Sequence, residues 1–132
     1  YIQKGRLKLK KDVFEGPVTY HDPCNIGRRG GIIDQPRRVI KALTTNYVEM
    51  TPTGVHNYCC GGGGGLASTG DFGHIRHRMG KIKAEQIRET KAKTVITGCF
   101  NCKNQIRDIA KNYKLEYEVK SIVEVVAASI IP

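Results

Sequence analysis

Apolar residues recur along the chain in two alternating rhythms. Short runs rich in β-branched and aromatic residues, at 17–21, 46–50, 93–97 and 115–119, read as strands. Between and after them the spacing turns helical. Helices are predicted over 32–43, with Pro36 in the first turn, and from Asp71 to near Lys91 through Ile75, Met79, Ile82, Gln86 and Ile87. Another begins at Cys99–Cys102 and carries Ile106, Ile109 and Ala110. A last one covers 122–131 with Val123, Val126 and Ile130 on one stripe. Ahead of these, Leu7 and Leu9 alternate with charges in a short strand before a turn at Glu15-Gly16-Pro17. That strand is expected to pair as a hairpin with the next one or to belong to a partner domain. Strands alternating with helices imply βαβ units. The expected fold is α/β, a mainly parallel sheet of about four strands flanked by helices, Rossmann-like in layout.

A chain of 132 residues and 14.7 kDa has room for one domain. With 39% hydrophobic and 26% charged residues it reads as globular rather than disordered. No apolar run approaches the roughly 18 residues that would cross a bilayer. No basic-then-apolar leader opens the chain, which argues against a secretory signal. Tyr1 stands where an initiator Met would, so residues 1–16, basic and polar, are expected to continue from an upstream part, with 17–132 as the domain proper. The formal charge of +10 suits polyanions, anionic headgroups or acidic proteins, or offsets something negative held inside. The basic stretch from Lys4 to Lys11 has no interleaved aromatic residues and the chain has no Trp, so no nucleic acid is expected. Docking to an acidic partner or a membrane complex suits it better.

The five cysteines decide more. Their number is odd and their density too low for a disulfide scaffold. Cys59 and Cys60 are adjacent, and Cys99 and Cys102 form a CxxC, a usage that suggests a reducing compartment and a metal or redox site. On the predicted layout Cys24 follows the first strand, Cys59-Cys60 the second and Cys99–Cys102 the third. All then stand at the carboxyl ends of strands, the edge where parallel α/β sheets bind ligands. Soft thiolates select iron–sulfur clusters, zinc or cuprous copper. Zinc takes four ligands, so a fifth cysteine would be surplus, and a vicinal pair is served more easily by several irons. Zinc remains the alternative. Five consecutive glycines, Gly61 to Gly65, follow the pair, but no Gly-Lys-Ser/Thr ends the run, which removes a P-loop reading.

Cys24, then Cys59-Cys60-Gly61, then Cys99-x-x-Cys102 resembles the CCG cysteine-rich domain of heterodisulfide reductase B and D subunits. Within that family, the run from Val18 to Cys24 together with Tyr58-Cys59-Cys60 and its glycines is most like the iron–sulfur subunit K of the Dsr and Hme membrane complexes. The resemblance covers about residues 17–130. It implies a noncubane [4Fe–4S] cluster held by Cys24, Cys59, Cys60, Cys99 and Cys102, with Gly61, Gly62 and Gly63 approaching it through backbone N–H groups. It implies an oxidoreductase that reduces a disulfide- or trisulfide-type substrate or passes electrons to it. It further implies other redox subunits of a membrane-associated complex and a small sulfur-carrier protein as partners, and a cytoplasmic or peripheral location. The rival reading is a non-catalytic module in which zinc or a closed cluster stabilises a subunit interface.

Among the histidines, His21 reads first as a hydrogen-bonded strand-end residue and second as a ligand or proton donor. His56 is a second proton-donor candidate or a surface residue. His74 and His77, with Arg76 and Arg78, read as a solvated basic face. Arg28, Arg29, Arg76 and Arg78 are expected to add positive potential around an anionic site.

Overall fold

Four-residue runs of β-branched and aromatic side chains make two strands that are buried along their whole length, β1 (Val18–His21) and β2 (Thr94–Thr97), as strands covered on both faces must be. A third, β3 (Glu118–Ser121), pairs with β2, and β2 with β1, all parallel, in the order β1-β2-β3. The computed structural model describes residues 1–131. Its helices are α1 (Asp34–Leu43), α2 (Gly73–Thr90), α3 (Phe100–Tyr113) and α4 (Ile122–Ser129).

Side-chain alternation along the strands sorts the core into two halves. On one face Val95 and Val119 pack with Ile87 of α2, Ile106 of α3, Met50, Cys60 and Cys102. On the other, Val18, Tyr20 and Ile96 pack with Ile40 and Leu43 of α1 and Val125 of α4. The fold is therefore α/β, a three-stranded parallel sheet with helices on both faces.

The sheet is one strand short of the expected four. The 46–50 segment does run beside β1, but it makes a single parallel bridge, Val18 to Tyr47. Val18 N donates to Asn46 O and Val48 N to Val18 O, each at 2.8 Å. Beyond Val48 the chain turns away, with Glu49 taken up by Arg37 and Pro52 without an N–H to extend a ladder. The last strand begins later than the 115–119 pattern suggested, at Glu118. The alternating Leu7–Leu9 segment forms neither a hairpin with β1 nor a free edge. Leu9 bridges Ile130 in antiparallel sense, with Lys10 N on Ser129 O at 2.8 Å and Ile131 N on Lys8 O at 3.0 Å.

The longest helix buries only part of the expected set, Gln86 and Ile87. Ile75, Met79 and Ile82 stand exposed, at 37%, 60% and 52%. The inward positions are Gly80, Lys83, Ala84, Gln86, Ile87 and Thr90. Gly80 lets α2 lie close to α3: a Cβ there would meet Ile109 Cδ1 at 2.6 Å and Cγ1 at 2.8 Å. Gly80→Ala would ordinarily favour a helix by about 0.5–1 kcal/mol. Here the overpacking, worth about 1–3 kcal/mol, opposes that gain. A lower urea midpoint at unchanged m-value is the expected result.

At the start of α4, Ser121 and Glu124 form a reciprocal capping box, and Lys103 of α3 donates to both Glu124 carboxylate oxygens at 2.6 Å. The Lys103 hydrogen bond first, and then the Ser121 N–H, lower Glu124 from its ordinary 4.5 to about 2. A carboxylate depressed on folding contributes stability that is present above 4.5 and lost as pH falls toward 2. Glu124→Gln is expected to flatten the dependence of Tm on pH within that window and leave its slope near neutrality unchanged.

Candidate metal centre

Each cysteine leaves the fold at a point fixed by a rigid element. Cys24 comes three residues after the end of β1, at the head of a π-helical turn over Asn25–Arg29. Cys99 follows β2 after one residue, Gly98, and is the N-cap residue of α3, whose first turn contains Cys102. Cys59 and Cys60 arrive on the long connection from the 46–50 segment, through a 3-10 turn over Gly54–His56.

The structure brings Cys60 and Cys102 together. Both are buried, and their Sγ atoms are 3.4 Å apart, too far for a disulfide bond of about 2.05 Å. Together with His21 they form a group whose ligand atoms all lie within 4.8 Å of one another. Cys59 adjoins this group as the chain neighbour of Cys60, and its Sγ accepts the Gly61 N–H at 3.3 Å. Cys99 is half-buried and packs against the cluster of side chains that includes Cys60 and Cys102. Cys24 is exposed and lies outside the close group.

The donor set fits a soft metal. Cys60 is pushed up to about 12, by its hydrogen bond to Cys102 first and by burial as well, against an opposing contribution from Cys59. Cys59 is raised too, by Cys60 and by burial, with Gly61 N–H pulling the other way. Crowded thiols of this kind lose their protons together only when a cation neutralises them, which is what coordination to iron or zinc does. Thr97, in register with His21 on the adjacent strand, has a buried Oγ1 without a partner. It is an unused hydroxyl at the same sheet edge.

The glycine run divides by role. Gly61 has φ +86° and its missing Cβ would meet Arg76 O, Gly80 N and Met79 Cβ at 3.1 Å, while a Cβ on Gly62 would meet Gln105 Cβ at 2.7 Å. Close approach to α2 and α3 therefore demands these two glycines, and in that position the Gly61 N–H donates to Cys59 Sγ. Gly63, Gly64 and Gly65 have open space where a Cβ would go.

Of the histidines, His21 is buried and held neutral, by burial first and by the nearby Lys83 charge second. Asn57 Nδ2 lies 3.3 Å from its Nδ1. His56 is exposed. The expected basic face on α2 is in part tied down: Arg76 donates to Asp108 at 2.9 Å and also binds Gln105, and His77 Nε2 lies 2.9 Å from the same Asp108 carboxylate. Arg28 reaches over the loop that delivers Cys59, donating to Val55 O at 3.0 Å and Asn57 O at 2.7 Å.

Two groups escaped the sequence reading. Arg37 donates to both Asp22 oxygens, to Glu49, to Thr53 and to Ile33 O, and so clamps the strand end just before Cys24. Lys83 is fully buried beside Asn57. Helical spacing carried the signal for both: Lys83 is three residues after Gly80 and four before Ile87, and Arg37 is three before Ile40.

A parallel sheet that gathers thiols beyond its strand ends defines a cysteine-rich metal or redox domain. The model of the CCG cysteine-rich domain matches residues 18–107, and the chain belongs to that family. It is 38% identical over 130 residues to a probable membrane-anchored ferredoxin of Chromohalobacter salexigens, covering 98% of this chain and 19% of that protein. It is 31% identical over 130 residues to the D subunit of the dihydromethanophenazine:CoB–CoM heterodisulfide reductase of Methanosarcina barkeri, covering 98% of this chain and 31% of that one. To the B subunit of the fumarate reductase (CoM/CoB) of Methanothermobacter marburgensis it is 38% identical over 109 residues, covering 81% and 21%. The chain thus spans between a fifth and a third of the length of these relatives. No solved structure matches it. Among the described residues no helix is long and apolar enough to cross a membrane. These relatives include subunits of redox enzymes, and a further one, 29% identical over 133 residues, is a probable iron–sulfur-binding oxidoreductase of Bacillus subtilis.

Proposed function

We propose that the chain binds a noncubane [4Fe–4S] cluster through Cys24, Cys59, Cys60, Cys99 and Cys102 and serves as the redox domain of a larger enzyme. When bound, the cluster supplies electrons, and an open iron site, to a disulfide- or trisulfide-type substrate. The single observation that carries this reading is the meeting of Cys60 and Cys102, from segments far apart in sequence, at 3.4 Å in a buried pocket. The side chains around that pair have separate tasks. The Gly61 N–H donates to Cys59 Sγ and stabilises negative charge there, with Gly62 as the next residue of the same close turn. The N-terminus of α3 directs its positive end toward Cys99 and Cys102. Arg28 and the Arg37–Asp22 clamp fix the loops that bear Cys59 and Cys24. Partners of such a domain are the other redox subunits of a membrane-associated complex at its cytoplasmic face, with a small sulfur-carrier protein as one source of substrate.

A second reading has one observation in its favour, the closeness of His21, Cys60 and Cys102, which suits a mononuclear zinc site in a non-catalytic module. Asn57 counts against it: its Oδ1 accepts from Lys83, so its Nδ2 donates to His21 Nδ1 and the ring proton stays on Nε2, which leaves neither nitrogen a free lone pair for an ion. Iron, acid-labile sulfide and zinc are to be quantified on anaerobically isolated protein, with low-temperature EPR. Near-equal iron and sulfide with a cluster signal supports the redox domain; about one zinc without sulfide overturns it in favour of the module.

A further inference from the structure

Lys83 is 0% exposed, in the middle of α2, and its ammonium reaches Met50, which packs with Cys60 and Cys102. Its ammonium donates to Asn57 Oδ1 at 2.6 Å and to Gln86 Oε1, and lies 3.7 Å from Met50 Sδ. All three partners are neutral. Among the described residues no carboxylate forms an ion pair with it. The buried acid that acts on it, Asp22, is already taken by Arg37 at 2.7 Å. An ammonium buried without an anion costs several kcal/mol, so a fold that keeps one has a negative charge to set against it. Burial draws Lys83 down to about 8, and the groups whose ionised forms draw it back up are Cys60 first, then Asp22, Cys59 and Cys102.

The geometry points to Lys83 as a positioning residue, the buried counter-cation of the Cys60–Cys102 site, held for an anionic thiolate–metal group and acting on its potential without binding it. This assignment rests on the cluster reading above for the identity of the group. Asn57 is the link that makes the position specific. An ammonium can only donate, so Asn57 must turn Oδ1 toward Lys83. Its Nδ2 then faces the Asp22 carbonyl at 2.8 Å and His21 Nδ1 at 3.3 Å. With Nδ1 accepting, the His21 proton is left on Nε2, so the same lysine also sets the tautomer of the histidine beside the two sulfurs. Gln86 secures the other side of the ammonium and is itself fastened by donating to Thr51 O at 2.8 Å and Pro52 O at 3.0 Å.

The test compares wild type with Lys83→Gln, which keeps a donor for Asn57 but drops the charge, and Lys83→Met, which keeps the volume alone. A positive charge near a metal–thiolate group favours its reduced form. Both variants should hold iron and sulfide with a midpoint potential, read by EPR-monitored redox titration, shifted to more negative values. Loss of iron in both at unchanged circular dichroism and Tm would support the assignment equally. Wild-type potential and loading in both would overturn it, as would a shift in Lys83→Met that is absent from Lys83→Gln. If the wild type itself binds no iron and sulfide, the cluster reading fails. The lysine is then judged with Co2+ alone, by its thiolate charge-transfer absorption. The neutral variants should then bind Co2+ about tenfold or more weakly, and equal affinity would dismiss the counter-cation.

Discussion

Cys60→Ser is expected to strip the protein of most of its iron and sulfide, while His74→Ala leaves both at the wild-type level. Cys60 is the most enclosed of the five thiols, 3% exposed, with Cys102 Sγ at 3.4 Å. Serine presents a hard, weakly ionised oxygen where a soft thiolate is needed, and it shortens the reach to the metal as well. Loss of a direct ligand should lower metal retention by at least about the tenfold known for outer-shell partners. His74 lies exposed on α2, away from the buried thiols, and serves as the control for preparation and oxidation. Because a serine hydroxyl in that pocket costs about 1–3 kcal/mol of its own when unpartnered, the melts of the two metal-free proteins are compared alongside. Unchanged iron in Cys60→Ser would take Cys60 out of the ligand set, whatever the change in Tm.

The architecture was legible where hydrophobic period and local chemistry agree. β1 and β2 are short, β-branched and buried on both faces, so their sequence has few alternatives. α1, α3 and α4 start within a few residues of where capping and apolar spacing put them. The 46–50 segment misled because β propensity describes a residue's fitness for a sheet and not the number of partners waiting there. Its Tyr47 and Val48 lie along β1, and then Glu49 answers to Arg37 instead. α2 misled for a different reason. Ile75, Met79 and Ile82 are apolar by type, yet the face that meets α3 needs the close approach that only Gly80 and Ala84 allow, with Lys83 and Ile87 beside them. The isoleucines are left outward, an apolar strip next to Gly61 on a chain that forms only part of its longer relatives.

At the site, residue type was more legible than arrangement. Cysteine is rare enough that five of them in three motifs pointed to a metal by themselves. Nothing in their spacing could reveal that Gly61 and Gly62 are glycines because α2 and α3 press on them, since that contact is made across the fold. The charged residues that organise the site were hidden by their own identity. Lysine and arginine are mostly exposed in folded proteins, so residue type alone marks neither Lys83 nor Arg37, while helical phase places both inside.

Arg37→Met should destabilise the protein by about 3–5 kcal/mol, the range for removing one partner of a buried ion pair. The guanidinium meets Asp22 at 2.7 and 2.8 Å, Glu49 at 2.7 and 2.9 Å and Thr53 at 2.7 Å, and lies over the Tyr20 ring at 5.6 Å from its centroid. Methionine restores much of the stem packing, so what is lost is charge and donors. Asp22, with its side chain 3% exposed, is left as a buried carboxylate with only the Gly54 N–H and Thr53 Oγ1 near it. The companion variant separates the cost of the orphaned charge from the value of the pair. In Arg37→Met/Asp22→Asn the stranded carboxylate is gone, and urea titration should recover a large part of the single-variant loss. If the double variant is as unstable as the sum of the two single ones, the pair does not act as a unit and the clamp is ordinary packing. The consequence for the metal centre follows from position. Asp22 lies two residues before Cys24, and it holds Gly54 at the start of the turn that leads to Cys59 and Cys60. Loosening it should therefore lower iron retention in Arg37→Met even at temperatures where the domain is still folded, which a purely global loss of stability would not do.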